Sequence, residues 1–264
     1  MLRVHPRPCT PAGPTMHETI DHSRDTVTLV HSSDLHIDDS VMPGKYNGLI
    51  GLRAVLSKAR ALKANAVLLA GDTFDNHRIS TVVLREAHDL LAGAELPVLL
   101  LPGNHDPIMP DCLFRRAGVD ALDNVFVFGI DGRDCVRFPD LEVEIIGFPH
   151  IGMGDAQPLR TPPPRRHRWQ VVMAHGHYVP PDEWRAQAHR SWRISDEQIA
   201  ATGADYIALG HWDRATQVGE DSAAAYYSGS PDLAESVNVI RLHRRSGVSV
   251  TREALTWGPT AVES

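Results

Sequence analysis

Aspartate, histidine and asparagine residues recur in short polar blocks, and each block follows a run of apolar residues. The blocks are Asp34-Leu35-His36, Gly71-Asp72-Thr73-Phe74-Asp75, Gly103-Asn104-His105-Asp106, His175-Gly176 and Gly210-His211-Trp212-Asp213. Carboxylate, imidazole and amide oxygen without thiolate suit divalent ions such as Mn, Fe, Zn or Ni. One such residue after a strand is usually a turn former, but together the blocks offer more ligands than one ion takes. They therefore predict a site for two ions that share a carboxylate.

The elements before the blocks must bring them together. Apolar runs at 26–31, 66–70 and 97–101 predict strands, and amphipathic segments at 48–65 and 80–92 predict helices between them. Alternating strands and helices favour parallel strands joined by right-handed crossovers. Because the carboxyl ends of parallel strands share one edge of a sheet, the polar blocks can meet there.

The rest of the chain is richer in strands. Runs at 125–128, 134–138 and 141–147 predict short strands in an antiparallel meander, and 160–168 predicts a loop. Further strands are predicted at 170–174, 206–209, 224–228, 237–243 and 248–252, with a helix at 195–202. We expect a disordered tail over 1–25 and one domain of the α/β (α+β) class over 26–264, with two packed sheets and helices outside.

Charge and cysteine content argue against several classes of protein. Lys and Arg total 26 against 33 Asp and Glu, a formal charge of −7 over 264 residues. That sign argues against nucleic-acid binding through a broad basic field. The cysteines, Cys9, Cys112 and Cys135, form no Cys-x-x-Cys pair and are expected to be unpaired in a reducing compartment. With no secretory signal and no long apolar segment, we expect a cytoplasmic protein without membrane contact.

In order and spacing the blocks resemble those of the calcineurin-like metallophosphoesterases: D-x-H, G-D-x-x-D, G-N-H-(D/E), H and G-H-x-H, over about residues 27–231. The flanks at 31–36, 71–75 and 227–231 look most like the SbcD-type DNA-repair exonuclease branch. The resemblance implies a four-layer sandwich of two mixed sheets flanked by helices. It also implies two divalent ions, with Mn favoured over Fe, Zn or Ni.

The resemblance assigns a role to each block residue. Asp34 and His36 would hold one ion, and Asn104, His175 and His211 the other, with Asp72 bridging the two. His105 matches the family's proton donor and Asp75 the carboxylate that orients it. The implied reaction is phosphoester hydrolysis by a hydroxide bridged between the ions, with His105 protonating the leaving alkoxide.

The last block departs from the family pattern, since Asp213 stands where the family usually has histidine. Asp213 could ligate the first ion, which would lower the formal charge of the loaded centre by one. Alternatively, Asp213 points away and water completes the shell. We favour ligation.

The sequence does not determine the substrate. His177 and Arg78 are candidate substrate contacts without a motif behind them. A small phosphoester and DNA are both candidate substrates, and self-association into a homo-oligomer is left open. An SbcD-like exonuclease or endonuclease is the main alternative, and a catalytically impaired metal-binding scaffold is an alternative of another class.

Overall fold

The computed structural model describes residues 25–40, 46–154, 157–185, 191–219 and 224–257. In chain order the strands are β1 (Thr26–Ser32), β2 (Ala66–Ala70), β3 (Val98–Leu101), β4 (Val125–Val127), β5 (Cys135–Phe138), β6 (Val143–Phe148), β7 (Trp169–His175), β8 (His177–Tyr178), β9 (Arg193–Ile194), β10 (Tyr206–Gly210), β11 (Thr216–Val218), β12 (Ala224–Tyr227), β13 (Ser236–His243) and β14 (Gly247–Ala254). The helices are α1 (Gly48–Ala61), α2 (Thr81–Ala92), α3 (Leu113–Arg116), α4 (Asp196–Thr202) and α5 (Pro231–Ala234).

The strands form two six-stranded mixed sheets. The first has the order β14-β13-β1-β2-β3-β4, and β1 to β4 run parallel in it. The second has the order β11-β12-β10-β7-β6-β5, with β6, β7, β10 and β12 parallel. A separate parallel pair joins β8 to β9. The two sheets flanked by helices confirm the predicted architecture.

Alternating side chains of the strands build the layers. On β2, Val67 and Leu69 pack with α1 and α2, while Leu68 and Ala70 face the second sheet. On β7, Val171 and Met173 face the first sheet, and Val172 packs on the side of α4. Strands buried on both faces explain the continuous apolar runs.

Local signals set the helix limits. Ser80 caps α2 by accepting from the Val83 N–H, as its position predicts. Ser195 and Gln198 form a capping box at the start of α4. The helix predicted at 48–65 ends earlier, at Ala61, and Lys63 just beyond it has a left-handed backbone.

The predicted meander is wrong except for one antiparallel pair, β5 with β6. β4 joins the first sheet beside β3, and the chain crosses to the second sheet through a turn with Gly129 and Gly132 at positive φ. Short strands carry no sequence signal of which sheet they join.

The cysteine prediction is also partly wrong. Cys112 is buried and free, whereas Cys135 is disulfide-bonded. Cysteine spacing cannot show which thiols the fold brings together. Cys9 and the tail predicted over 1–25, apart from Asp25, lie outside the described residues. The domain limits of 26–264 stay a prediction. No described helix has the length and apolar character needed to cross a membrane.

Candidate metal centre

The polar blocks meet at the carboxyl ends of β1, β2, β3, β7 and β10, where the two sheets face each other. Backbone hydrogen bonds tie the first two loops together: the Asp34 N–H donates to the Gly71 carbonyl (3.0 Å) and the His36 N–H to the Asp72 carbonyl (3.1 Å). The His211 N–H, from the second sheet, lies 3.0 and 3.1 Å from the two Asp34 carboxylate oxygens. The loops thus hold one another in place.

Four residues of these loops adopt positive φ although they are not glycine. The angles are 53° at Asp34, 47° at His36, 50° at Asp72 and 103° at His211. Such conformations are uncommon for non-glycine residues and are concentrated at functional sites. Their occurrence at four predicted ligands supports a functional role for this edge.

Glycines make the close approach possible. Gly71 has φ +98°, and a Cβ there would collide with the His175 ring. At Gly103 a Cβ would collide with the Asp72 carboxylate, and at Gly210 with the Ala70 carbonyl. Three of the turns that deliver candidate ligands therefore require glycine.

One group of side chains combines Asp72, Asn104, His175 and His211. Nε2 of His175 lies 3.1 Å from Oδ2 of Asp72 and 3.0 Å from Oδ1 of Asn104. Nδ1 of His211 lies 3.2 Å from the same Asn104 oxygen. A second group consists of Asp34, His36 and Asp72, whose ligand atoms lie within 4.8 Å of one another. Asp72 belongs to both groups.

Hydrogen bonds outside the groups fix two of the imidazoles. Nδ1–H of His175 donates to the Ala70 carbonyl at 2.9 Å, and Nδ1–H of His36 donates to Asp75 at 3.0 Å. In the neutral tautomer each bond leaves Nε2 as the electron-pair donor facing the groups. Metal-ligating histidines are typically oriented in this way.

The charged side chains at this edge shift one another's pKa values. Burial raises the pKa of Asp34 to about 6, and the nearby Asp72 carboxylate contributes. Burial opposes ionisation of Asp72 too, but His175 and the His105 N–H hold its pKa well below the usual range. Burial would lower the pKa of His175, yet Asp72 and Asp34 raise it to about 9. The carboxylates therefore attract a positive charge to this point.

The donor set fits two divalent cations. Two nearly fully buried carboxylates, Asp34 at 3% and Asp72 at 2% exposure, converge with neutral nitrogen and amide ligands. Buried carboxylates need a compensating cation, and this mixture of oxygen and nitrogen suits Mn, Fe, Zn or Ni. The residues present therefore match the predicted cofactor class.

A family comparison agrees with this geometry. The family model described as calcineurin-like phosphoesterase matches residues 27–214, more than half of the chain. The chain belongs to the calcineurin-like phosphoesterase family.

One curated relative matches a short segment of this chain. A segment of 79 residues is 29% identical to a "Probable cyclic nucleotide phosphodiesterase" of Vesicomyosocius okutanii subsp. Calyptogena okutanii (strain HA). The segment covers 30% of this chain and 33% of that relative. Thus the match spans about a third of the relative's length.

Two solved structures share the fold of this chain. A dimetal phosphatase from Danio rerio has a TM-score of 0.53 and 12% identity, covering 88% of this chain and 99% of its own. The protein TT1561 of Thermus thermophilus has a TM-score of 0.54 and 12% identity, covering 87% and 99%. At this identity the likeness shows the fold alone.

His105 and Asp75 lie beside His36, which belongs to the second group. Nδ1–H of His105 donates to the Asp75 backbone carbonyl at 2.7 Å, and the same nitrogen is 3.6 Å from the Asp75 carboxylate. The His105 ring contacts the His36 ring edge-to-face, with centroids 4.8 Å apart. The His105 side chain is 42% exposed, so its imidazole is accessible to solvent.

The remaining predicted site residues lie further out. Asp213 is exposed and belongs to none of the potential metal-binding groups among the described residues. Its backbone carbonyl accepts from the Ser230 N–H at 3.1 Å. His177 is half-buried, and its Nδ1 accepts from Trp212 Nε1–H at 3.1 Å. Arg78 is exposed in the loop after Asp75. The roles of Asp213, His177 and Arg78 stay predictions.

Two further residues of this chain shape the site, and the sequence analysis assigned them no role. The fully buried Asp106 accepts from the Gly103 N–H (2.7 Å) and the Phe74 N–H (3.0 Å), which joins two ligand loops. Nε2–H of the buried His150 donates to the His175 carbonyl at 2.8 Å. Asp106 is part of the Gly-Asn-His-Asp block, and His150 follows β6 as the ligands follow their strands. Their positions after predicted strands were the only sequence features that could have pointed to these two residues.

Proposed function

We propose that this chain is a metal-dependent phosphodiesterase that acts on small phosphodiesters. The observation that carries the proposal is that Asp72 belongs to both ligand groups, since a shared carboxylate is what a pair of ions requires. Asp34 and His36 would hold one ion, Asn104, His175 and His211 the other, and Asp213 would add a ligand to the first. Mn is the favoured metal, with Fe, Zn and Ni as alternatives.

The two ions, when bound, would supply a nucleophile by lowering the pKa of water and would neutralise the phosphoryl oxygens. The protein's residues do the remaining work. The hydrogen bonds from His36 to Asp75 and from His175 to Ala70 hold the ligands in one orientation. His105, anchored through Nδ1 to the Asp75 carbonyl, would donate the proton of Nε2 to the leaving oxygen.

Two considerations favour a diester over a monoester. If Asp213 ligates, the loaded centre has one positive charge fewer than a site with histidine there, which weakens attraction for a dianion. The curated relative is named as a phosphodiesterase for cyclic nucleotides, although the match covers a third of it. His177 and Arg78 are the proposed substrate contacts.

A substrate panel tests the proposal. Metal-stripped protein is supplied separately with Mn, Fe, Zn or Ni and assayed on a chromogenic diester, a chromogenic monoester, a cyclic nucleotide, and single- and double-stranded DNA. We expect metal-dependent hydrolysis with the small diesters fastest. Faster cleavage of DNA ends would instead support the SbcD-like nuclease. Tight metal binding without hydrolysis of any phosphoester would support the non-catalytic scaffold and contradict the proposal.

A further inference from the structure

Trp192 lies at the border of the candidate metal centre. Its ring contacts His211 edge-to-face, with centroids 6.2 Å apart, and contacts His150 at 5.3 Å. His211 belongs to the first ligand group, and His150 donates to the backbone of His175. The indole therefore lies next to the place where a substrate's phosphorus would react.

The backbone of Trp192 itself has an unfavourable conformation. Trp192 has φ +54°, a left-handed conformation that is rare for a bulky side chain. The His177 N–H donates to its carbonyl at 2.8 Å, and the adjoining residues pair β9 with β8. A Cβ at Gly176 would collide with the same carbonyl. Strain that the surroundings maintain is characteristic of ligand-contacting positions.

The hydrophobic core does not explain this position. Trp192 is only half-buried and is not among the core residues of the described chain. Its indole nitrogen lies 3.5 Å from the carbonyl of Gly154, at the end of the loop after His150. The same loop carries Ile151 and Met153, which are 65% and 73% exposed.

We propose that Trp192 determines substrate specificity by packing against a planar ring carried by the phosphodiester, so that nucleotide-class diesters are preferred over diesters with no ring. An indole gains most from a flat aromatic partner, and base–aromatic stacking tolerates any base. This inference rests on the proposed phosphodiesterase activity.

The test compares two substrates that share the scissile bond. A nucleoside 3′,5′-cyclic phosphate is measured beside the corresponding cyclic phosphate of ribose without a base, and kcat and KM are determined for both. For the native protein we expect kcat/KM to favour the nucleoside substrate by about 5- to 100-fold, the range that stacking supports. Trp192→Ala should abolish this preference mainly through KM, and Trp192→Phe should retain most of it.

Controls separate specificity from damage to the site. Bound metal per chain should stay unchanged in both Trp192 variants, and in Trp192→Ala the KM for the nucleoside substrate should rise more than the KM for the base-free substrate. Trp257→Ala, which removes another partly exposed tryptophan, should leave the preference intact. If Trp192→Ala does not fold, Trp192→Phe and Trp192→Leu give the same comparison, since only the leucine should lose the preference.

The outcomes distinguish the two proposals. A native protein that hydrolyses neither these substrates nor any other phosphoester contradicts the proposed function. A native protein that hydrolyses both substrates equally well, that prefers alkyl diesters, or that keeps its preference without an aromatic ring at 192 overturns the role of Trp192 alone.

Discussion

Nδ1 of His36 lies 3.0 Å from Oδ1 of Asp75, closer than Nδ1 of His105, which is 3.6 Å from the same oxygen. His105 is held instead by the Asp75 backbone carbonyl at 2.7 Å. The carboxylate of Asp75 is therefore placed to orient a proposed metal ligand, and its backbone to orient the proposed proton donor. A substitution of the Asp75 side chain therefore changes the contact with His36 but leaves in place the backbone contact that holds His105.

Asp75→Asn should weaken metal binding, because an amide is a poorer acceptor for the His36 Nδ1–H than a carboxylate. Loss of such an outer partner typically costs 10- to 100-fold in metal affinity or activity. Calorimetric titration of metal-stripped protein with Mn should show the loss in one of two binding events. At saturating metal, the dependence of rate on leaving-group pKa should resemble that of the native protein. Unchanged affinity for both ions would contradict this role.

His105→Ala should slow hydrolysis most for substrates with poor leaving groups. General acid catalysis contributes typically 10²- to 10⁴-fold, but a nitrophenolate leaves without a proton and needs little help. Rates on a series of aryl and alkyl diesters should give a steeper dependence on leaving-group pKa than in the native protein. His88→Ala, at another histidine beside an aspartate, is the matched control and should behave as native. An equal loss on all leaving groups would indicate a role other than proton donation.

Most of the site was predictable from sequence because its residues follow buried strands. Five apolar runs end in Asp, His or Asn, and parallel strands place those ends on one edge, so Asp72 and His175 could be expected to meet. The residue types could not tell which partner each side chain takes. The sequence pointed to Asp75 as a partner of His105, but the closer contact of its carboxylate with His36 depends on a distance of a few tenths of an ångström.

The fold was predictable to the level of its elements and not of every pairing. Long runs such as those of β2 and β7 are buried on both faces and have a strong pattern. β4 is a three-residue strand, too short to carry a clear pattern, and its parallel pairing with β3 is a tertiary feature. His150 was missed because a lone histidine after a strand has many ordinary explanations until its contact with the His175 carbonyl is seen.

Asp213→Ala should weaken binding of one of the two ions if its carboxylate ligates, since Asp34, His36 and Asp72 supply fewer ligands than the other group. Asp213→His should change both metal content and turnover, because imidazole replaces a charged oxygen ligand. Metal per chain and kcat are measured for each variant, with Asp140→Ala as an exposed control in the β5–β6 connection. No change in either quantity would remove Asp213 from the ligand set.

In the metal-free protein, His31 should contribute stability that is lost as the pH falls from 6.5 towards 3. Burial lowers the pKa of His31 to about 3, and its Nδ1 lies 2.9 Å from the Tyr206 hydroxyl. In this window the unfolded chain binds a proton that folded His31 does not, so the free energy of unfolding falls by about 1.4 kcal/mol per pH unit for one such group. Above pH 6.5 this contribution is fully present.

Urea unfolding at several pH values measures the effect. Between pH 4 and 6, the free energy of unfolding should rise less with pH in His31→Gln, which cannot titrate, than in the native protein, while His88→Gln should keep the native slope. The slope left in His31→Gln combines opposing groups. Burial and the His175 charge lower the pKa of His211 to about 3, whereas burial raises the pKa of Asp34 to about 6 and that of Asp106 to about 7. A native slope in His31→Gln would show that His31 does not titrate on unfolding.

The most direct test is a crystal of the protein grown with Mn, with diffraction data collected at the Mn absorption edge. We predict two anomalous peaks about 3.5–4 Å apart, with Asp72 in contact with both. One should lie against Asp34 and His36, and the other against Asn104, His175 and His211. A single peak, peaks away from Asp72, or no peak at saturating Mn would contradict the account.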